Sequence, residues 1–111
     1  MIYFATPYSH PDKAVQEIRF KQVTYATGVL MQCGYHVLSP ITHGYPIAGA
    51  GDLPHGFEFW EELCKKQIAA CRQVWILGLQ GWKESTGVTS EQKIARYFGK
   101  PIRLLYWSDF V

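Results

Sequence analysis

Apolar and polar positions along this chain fall into blocks whose period changes from two to about four and back. Ile2 to Ala5 is an uninterrupted apolar run closed by Thr6-Pro7, the pattern of a buried strand that ends in a turn. From Pro11 to Cys33, Ala14, Ile18, Val23, Ala26 and Leu30 recur at near-helical spacing, with Lys13, Glu17, Arg19 and Lys21 between them. Pro11 suits a first helical turn and Gly34 a C-terminal stop. Tyr35 to Ser39 reads as a second strand closed by Pro40. Phe57 to Cys71 returns to helix, striped by Phe59, Trp60, Leu63, Cys64, Ile68 and Cys71. Val74 to Leu77 is a third strand, Gln80 to Ser85 a turn, Val88 to Phe98 a last helix, and Pro101 to Tyr106 a fourth strand.

Between the second strand and the next helix, Pro40 to Gly56 carries seven Gly and Pro residues and almost no periodicity. A connection of that length in a compact domain points to a functional loop. The expectation is a mobile cover without regular structure, offering His43, Tyr45, Asp52 and His55 to a ligand.

Strands alternating with helices predict an α/β fold with right-handed crossovers, a three-layer, flavodoxin/Rossmann-like parallel sheet of about four strands in the order 2-1-3-4. Ligands of such sheets bind beyond the carboxyl ends of the strands, at the point where the winding reverses. The loops Thr6 to His10, Pro40 to Gly56 and Gly78 to Gly87 meet there.

Length and charge narrow the chemistry. With 111 residues the chain supports one domain, 1–111. A formal charge of +2 and scattered basic residues advertise neither a nucleic-acid groove nor a membrane patch. No apolar run approaches the ~20 residues of a membrane span. Cys33, Cys64 and Cys71 are odd in number and lack CxxC spacing, and His10, His36, His43 and His55 are scattered. These patterns predict reduced thiols in a cytoplasmic protein, with no metal and no cofactor.

Glu91 stands out because it shares the apolar face of the last helix with Val88, Ile94, Ala95 and Phe98. An inward acid at the open end of a helix is a candidate catalytic group. The alternative is an ordinary first-turn acid that complements the helix dipole, with Thr89 and Gln92 forming the capping box.

Three stretches belong together: Ala5-Thr6-Pro7-Tyr8-Ser9-His10, Gly81-Trp82-Lys83-Glu84-Ser85-Thr86-Gly87-Val88-Thr89-Ser90-Glu91, and Gly99-Lys100-Pro101. Together they resemble the nucleoside 2-deoxyribosyltransferase-like superfamily, over nearly the whole chain. The resemblance implies N-glycosidic chemistry on a nucleoside or nucleotide, in which Glu91 attacks the anomeric carbon and the glycosyl ester is resolved by water or a second base. It also implies that Tyr8 orients the nucleophile, and that Thr6, Pro7, Ser9 and His10 hold the sugar. Ser85 and Gly87 at a helix start would receive a phosphate or sugar oxygen, or serve only as turn and cap. Trp82 is the candidate stacking surface for a base, whereas Trp60 and Trp75 read as core, and Tyr3 is a weaker rival to Tyr8 because a strand tyrosine is usually core. His43 would join from the loop. A homodimer or higher homo-oligomer is implied as well.

The chain departs from that pattern in one place. Related enzymes carry an Asp before or at the third strand that assists the leaving group, and Cys64 to Val74 contains no acid. Binding without cleavage, by a nucleotide sensor of the same fold, is therefore the competing reading.

Overall fold

The computed structural model describes residues 1–54 and 56–111; His55 lies outside them. Strands β1 (Ile2–Ala5), β2 (Val37–Leu38), β3 (Gln73–Leu77) and β4 (Ile102–Leu105) form one parallel sheet in the order β2-β1-β3-β4. Helices α1 (Lys13–Gln32), α2 (Pro40–Gly51), α3 (Phe57–Ala70) and α4 (Thr86–Tyr97) flank it, and a single 3-10 turn, Trp107–Asp109, ends the chain. The α/β class and strand order are those the alternation of periods predicts.

Strand alternation sorts the core into two layers. Ile2 and Phe4 of β1, with Trp75 and Leu77 of β3, meet Val23, Ala26 and Leu30 of α1. Tyr3 and Ala5, with Val74 and Ile76, turn the other way and meet Cys64 and Ile68 of α3 and Val88 and Ala95 of α4. All four β1 residues are buried, so the central strand reads as a continuous apolar run rather than an alternating one.

Boundaries shift where a cap decides them. Asp12, not Pro11, starts α1, its carboxylate accepting from the Ala14 N–H at 2.9 Å. Gly34, at φ +94, follows the end of α1 in the left-handed region that favours glycine. The second strand shrinks to two residues because Ser39 caps the next helix.

That helix corrects the expectation of an irregular Pro40 to Gly56 loop. Ser39 Oγ accepts from the Thr42 N–H at 3.4 Å, Pro40 occupies the first turn, and α2 runs twelve residues to Gly51 despite Pro46 within it. Ile41, Tyr45 and Ala48 repeat at four and three residues and face the core: Ile41 packs on the α1 layer, and Ala48 is buried. Gly44 lies under the Trp60 ring, where an added Cβ would stand at an ordinary contact distance of 3.7 Å. Tertiary packing of this stripe overrides the low helix propensity of three glycines and a proline.

The helix carrying Glu91 also begins earlier than its apolar pattern suggests. Ser85 is the cap, with Oγ accepting from the Val88 N–H at 3.2 Å, and the first turn holds no acid. Thr89 and Gln92 therefore form no capping box, and Glu91 sits in the second turn. Dipole complementation fades within the first turn, so it does not explain this residue.

Candidate active site

Four segments converge beyond the carboxyl ends of β1 and β3: the residues after β1, α2, the first turns of α3 and the first half of α4. They enclose a cavity of about 580 Å³, the size of a small-molecule site. Glu91 forms part of its lining and is 6% exposed.

The hydroxyl hydrogen-bonded to Glu91 comes from Tyr3, whose Oη donates to Oε2. Tyr3 reaches it because β1 alternation turns this side chain toward α3 and α4, where it is fully buried. Cys64 of α3 stands beside both, exchanging electrostatic interactions with each. Burial raises all three. It pushes the Glu91 carboxyl from 4.5 up to about 8, against the opposing pull of the Tyr3 hydrogen bond. Burial, then the nearby Glu91 charge, lifts Tyr3 well above its ordinary value and Cys64 to about 11. Glu91 is thus the member of the trio that changes charge near neutral pH.

Two more residues of the lining carry buried polar atoms. Thr6 Oγ1 and Gln67 Oε1 have no hydrogen-bond partner among the described residues, although both residues line the space. An unsatisfied buried polar atom costs about 1–3 kcal/mol, so two on residues that line one cavity mark groups for a ligand or water to meet.

Of the residues singled out by sequence, Thr6, Tyr8, Ser9, His43, Ser85, Gly87 and Glu91 line the cavity. Tyr8 is mostly buried, its ring edge-on to Tyr45 at 5.6 Å and its hydroxyl 3.3 Å from Gln16 Oε1. Burial and the Tyr45 hydroxyl push Tyr8 up to about 12. Ser9 sits at the rim, its carbonyl accepting from Arg19 Nη1 at 3.0 Å, while Arg19 Nη2 donates to the Gln80 carbonyl at 3.0 Å. Arg19 thereby ties the segment after β1 to the segment after β3.

Three expected residues stand elsewhere. Pro7 is fully buried and His10 accepts from the Asp12 N–H at 3.0 Å, organising the turn into α1. Neither lines the cavity. Trp82 packs against the α3–α4 core layer with Lys83 over its ring. The indole that does line the cavity is Trp60, fixed by its Nε1–H donating to the Pro54 carbonyl at 2.8 Å.

The hydroxyl that meets Glu91 belongs to Tyr3, the weaker rival, and not to Tyr8, while Cys64 and Gln67 join the site without a signal in the sequence. The alternation Ile2-Tyr3-Phe4-Ala5 was the available signal for Tyr3, since Tyr3 and Ala5 share the face that Glu91 also meets. The acids Glu58, Glu61 and Glu84 line the cavity too, but none is buried, and Asp52 and Glu62 do not reach it. Glu61 is held 3.3 Å from Lys65.

No helix among the described residues is long and apolar enough to cross a membrane. Residues 1–107 match the model of the family DUF1937, a domain of unknown function, and the chain belongs to that family. No curated protein matches the chain.

Proposed function

We propose that this DUF1937 member breaks the N-glycosidic bond of a nucleoside-like substrate, with Glu91 as the nucleophile that takes the glycosyl group. The observation that carries the reading is the buried Glu91–Tyr3 pair in the lining of a ligand-sized cavity, a carboxyl held where no first-turn or surface role accounts for it. A buried carboxylate is costly to maintain unless its charge is used. Against an anomeric carbon with oxocarbenium character it forms an ester, and water or a second base then releases the sugar. Tyr3 positions Oε2, which leaves the other carboxylate oxygen for attack. Thr6 Oγ1 and Gln67 Oε1 supply partners for sugar hydroxyls or base edges. Tyr8, Tyr45 and Trp60 supply aromatic walls for the base.

The lack of a second buried acid on the described lining favours one competing reading, a protein that binds its ligand without cleaving it. A panel of nucleosides and nucleotides, followed by chromatography for free base, separates the two. Base release that Glu91→Gln abolishes supports catalysis, and tight binding with no base released by the wild type supports the sensor. Unpaired cysteines fit a cytoplasmic setting. A homodimer or higher homo-oligomer belongs to the same reading, and light scattering tests it.

A further inference from the structure

The charge of the cavity says which N-glycoside it suits. Carboxylates of Glu58, Glu61, Glu84 and Glu91 line it, and no lysine or arginine is among its described lining residues. Nearby cations are committed elsewhere: Arg19 gives its donors to the carbonyls of Tyr8, Ser9 and Gln80, and Lys65 pairs with Glu61 and Glu62. At the α4 start Ser85 Oγ accepts from the Val88 N–H, and no cation stands beside that turn among the described lining residues. A phosphate would have to sit among acids without a cation to hold it. A positive ring would instead find carboxylates and the faces of Tyr8, Tyr45 and Trp60. The unpartnered Thr6 Oγ1, on a residue 4% exposed, independently marks this wall as a ligand contact.

Resting on the glycosidase reading, we propose that the substrate class is N-glycosides whose base carries a fixed positive charge, namely N-ribosylpyridinium and N7-alkylpurine nucleosides, without a 5′-phosphate. The chemistry removes the difficulty posed by the missing general acid. When the bond from the anomeric carbon to the ring nitrogen breaks, its electron pair returns to that nitrogen and cancels the positive charge, so the base leaves neutral and takes no proton. Glu91 carboxylate forms the new bond to the anomeric carbon. Water then attacks that carbon, the ester bond breaks to regenerate the carboxylate, and one proton is released to solvent for each pyridinium base cleaved. Before reaction, the bound cation favours the ionised form of Glu91, so the substrate itself readies the nucleophile.

The test compares base release from N-ribosylnicotinamide, N-ribosylnicotinamide 5′-phosphate, 7-methylguanosine, guanosine, adenosine and uridine near neutral pH, with proton release followed for the pyridinium substrate. Cationic nucleosides are expected to exceed their neutral counterparts in kcat/KM by at least ~100-fold, the lower range of what a general acid supplies, after subtraction of their faster uncatalysed loss. One proton should accompany each nicotinamide. Cleavage of 7-methylguanosine but not N-ribosylnicotinamide, or the reverse, identifies which of the two cationic bases fits and supports the class. Neutral nucleosides cleaved as well as cationic ones, or the phosphorylated pyridinium cleaved better than the unphosphorylated, overturns this inference while leaving the glycosidase reading standing. No base released from any of the six overturns both.

Discussion

The two faces of the sheet are built from the same strands and differ in what they bury. Against α1 lie Ile2, Phe4, Trp75 and Leu77, a packed apolar layer. Against α3 and α4 the layer is interrupted at the strand ends by Tyr3, Cys64 and Glu91, with Thr6 beyond them. One face stabilises the fold, and the other spends some of that stability holding an acid away from water. The contrast is set by a single register: Tyr3 and Ala5 alternate with Ile2 and Phe4, so moving β1 by one residue would turn the Glu91 partner into the opposite layer.

The sharpest way to break this comparison is one substitution on each face. Glu91→Gln keeps size and the ability to accept from Tyr3, and should reduce base release by at least ~10³-fold while leaving the fold intact. Leu77→Ala, in the α1 layer, should cost roughly 2–5 kcal/mol in chemical denaturation with kcat nearly unchanged under conditions where the protein remains folded. If the Leu77 variant lost activity in proportion to Glu91→Gln, the division of labour between the faces would be wrong.

Stability against pH sharpens the same contrast. Glu91 titrates at about 8 in the folded chain against 4.5 when solvated. Between those values the folded state holds a proton that the unfolded state has lost, so this group's contribution to stability falls as pH rises from 4.5 to 8 and is level outside that window. Glu91→Gln removes the penalty. Denaturation midpoints should therefore favour the variant by roughly 3–5 kcal/mol at pH 8 and above, and coincide with wild type near pH 4. Equal stabilities across the range would mean that Glu91 is solvated in the free protein.

How far the site was legible follows from what kind of information each residue needed. Strand order and both layers follow from apolar blocks and alternation, which are local. Glu91 was visible because an acid on an apolar helix face is a local contradiction. Its partner was not, because a tyrosine in a buried strand looks like core until the opposite helix is placed over it. The Pro40 to Gly51 helix is hidden by three glycines and an internal proline, whose low propensity the burial of Ile41 and Ala48 overrides. Trp60 and Trp82 exchanged roles for the same reason: which indole reaches the cavity depends on where α2 lies.

Tyr3→Phe tests that partner directly. The ring stays in a fully buried site, while the hydrogen bond that holds the Glu91 value down disappears. If Glu91 is the proposed nucleophile and must be ionised, kcat/KM should rise with pH to a plateau, with a midpoint near 8 in the free protein. Removing the hydrogen bond moves that midpoint upward, by about one pH unit for a bond worth ~1.4 kcal/mol to the charged form. The variant should then be roughly tenfold slower at neutral pH and recover toward wild type at higher pH. A uniform loss at every pH, with the midpoint unmoved, would give Tyr3 a purely structural role.

The smallest effect separates fold from site at one glycine. Gly87 lies in the first turn of α4 and lines the cavity, and an added Cβ would meet Phe57 and Ser85 only at ordinary contact distances of 3.5 and 3.9 Å. Its φ is not in the left-handed region. Nothing in the fold therefore demands glycine, and Gly87→Ala should raise stability by about 0.5–1 kcal/mol through the entropy of the unfolded chain. A ligand that packs on this turn would meet the new methyl. The expected outcome is a more stable protein with a higher KM, because the methyl adds to the wall on the helix face that Gly87 shares with Glu91. Unchanged KM would place the substrate against the Tyr8 and Trp60 side of the cavity and leave Gly87 as part of the cap formed by Ser85.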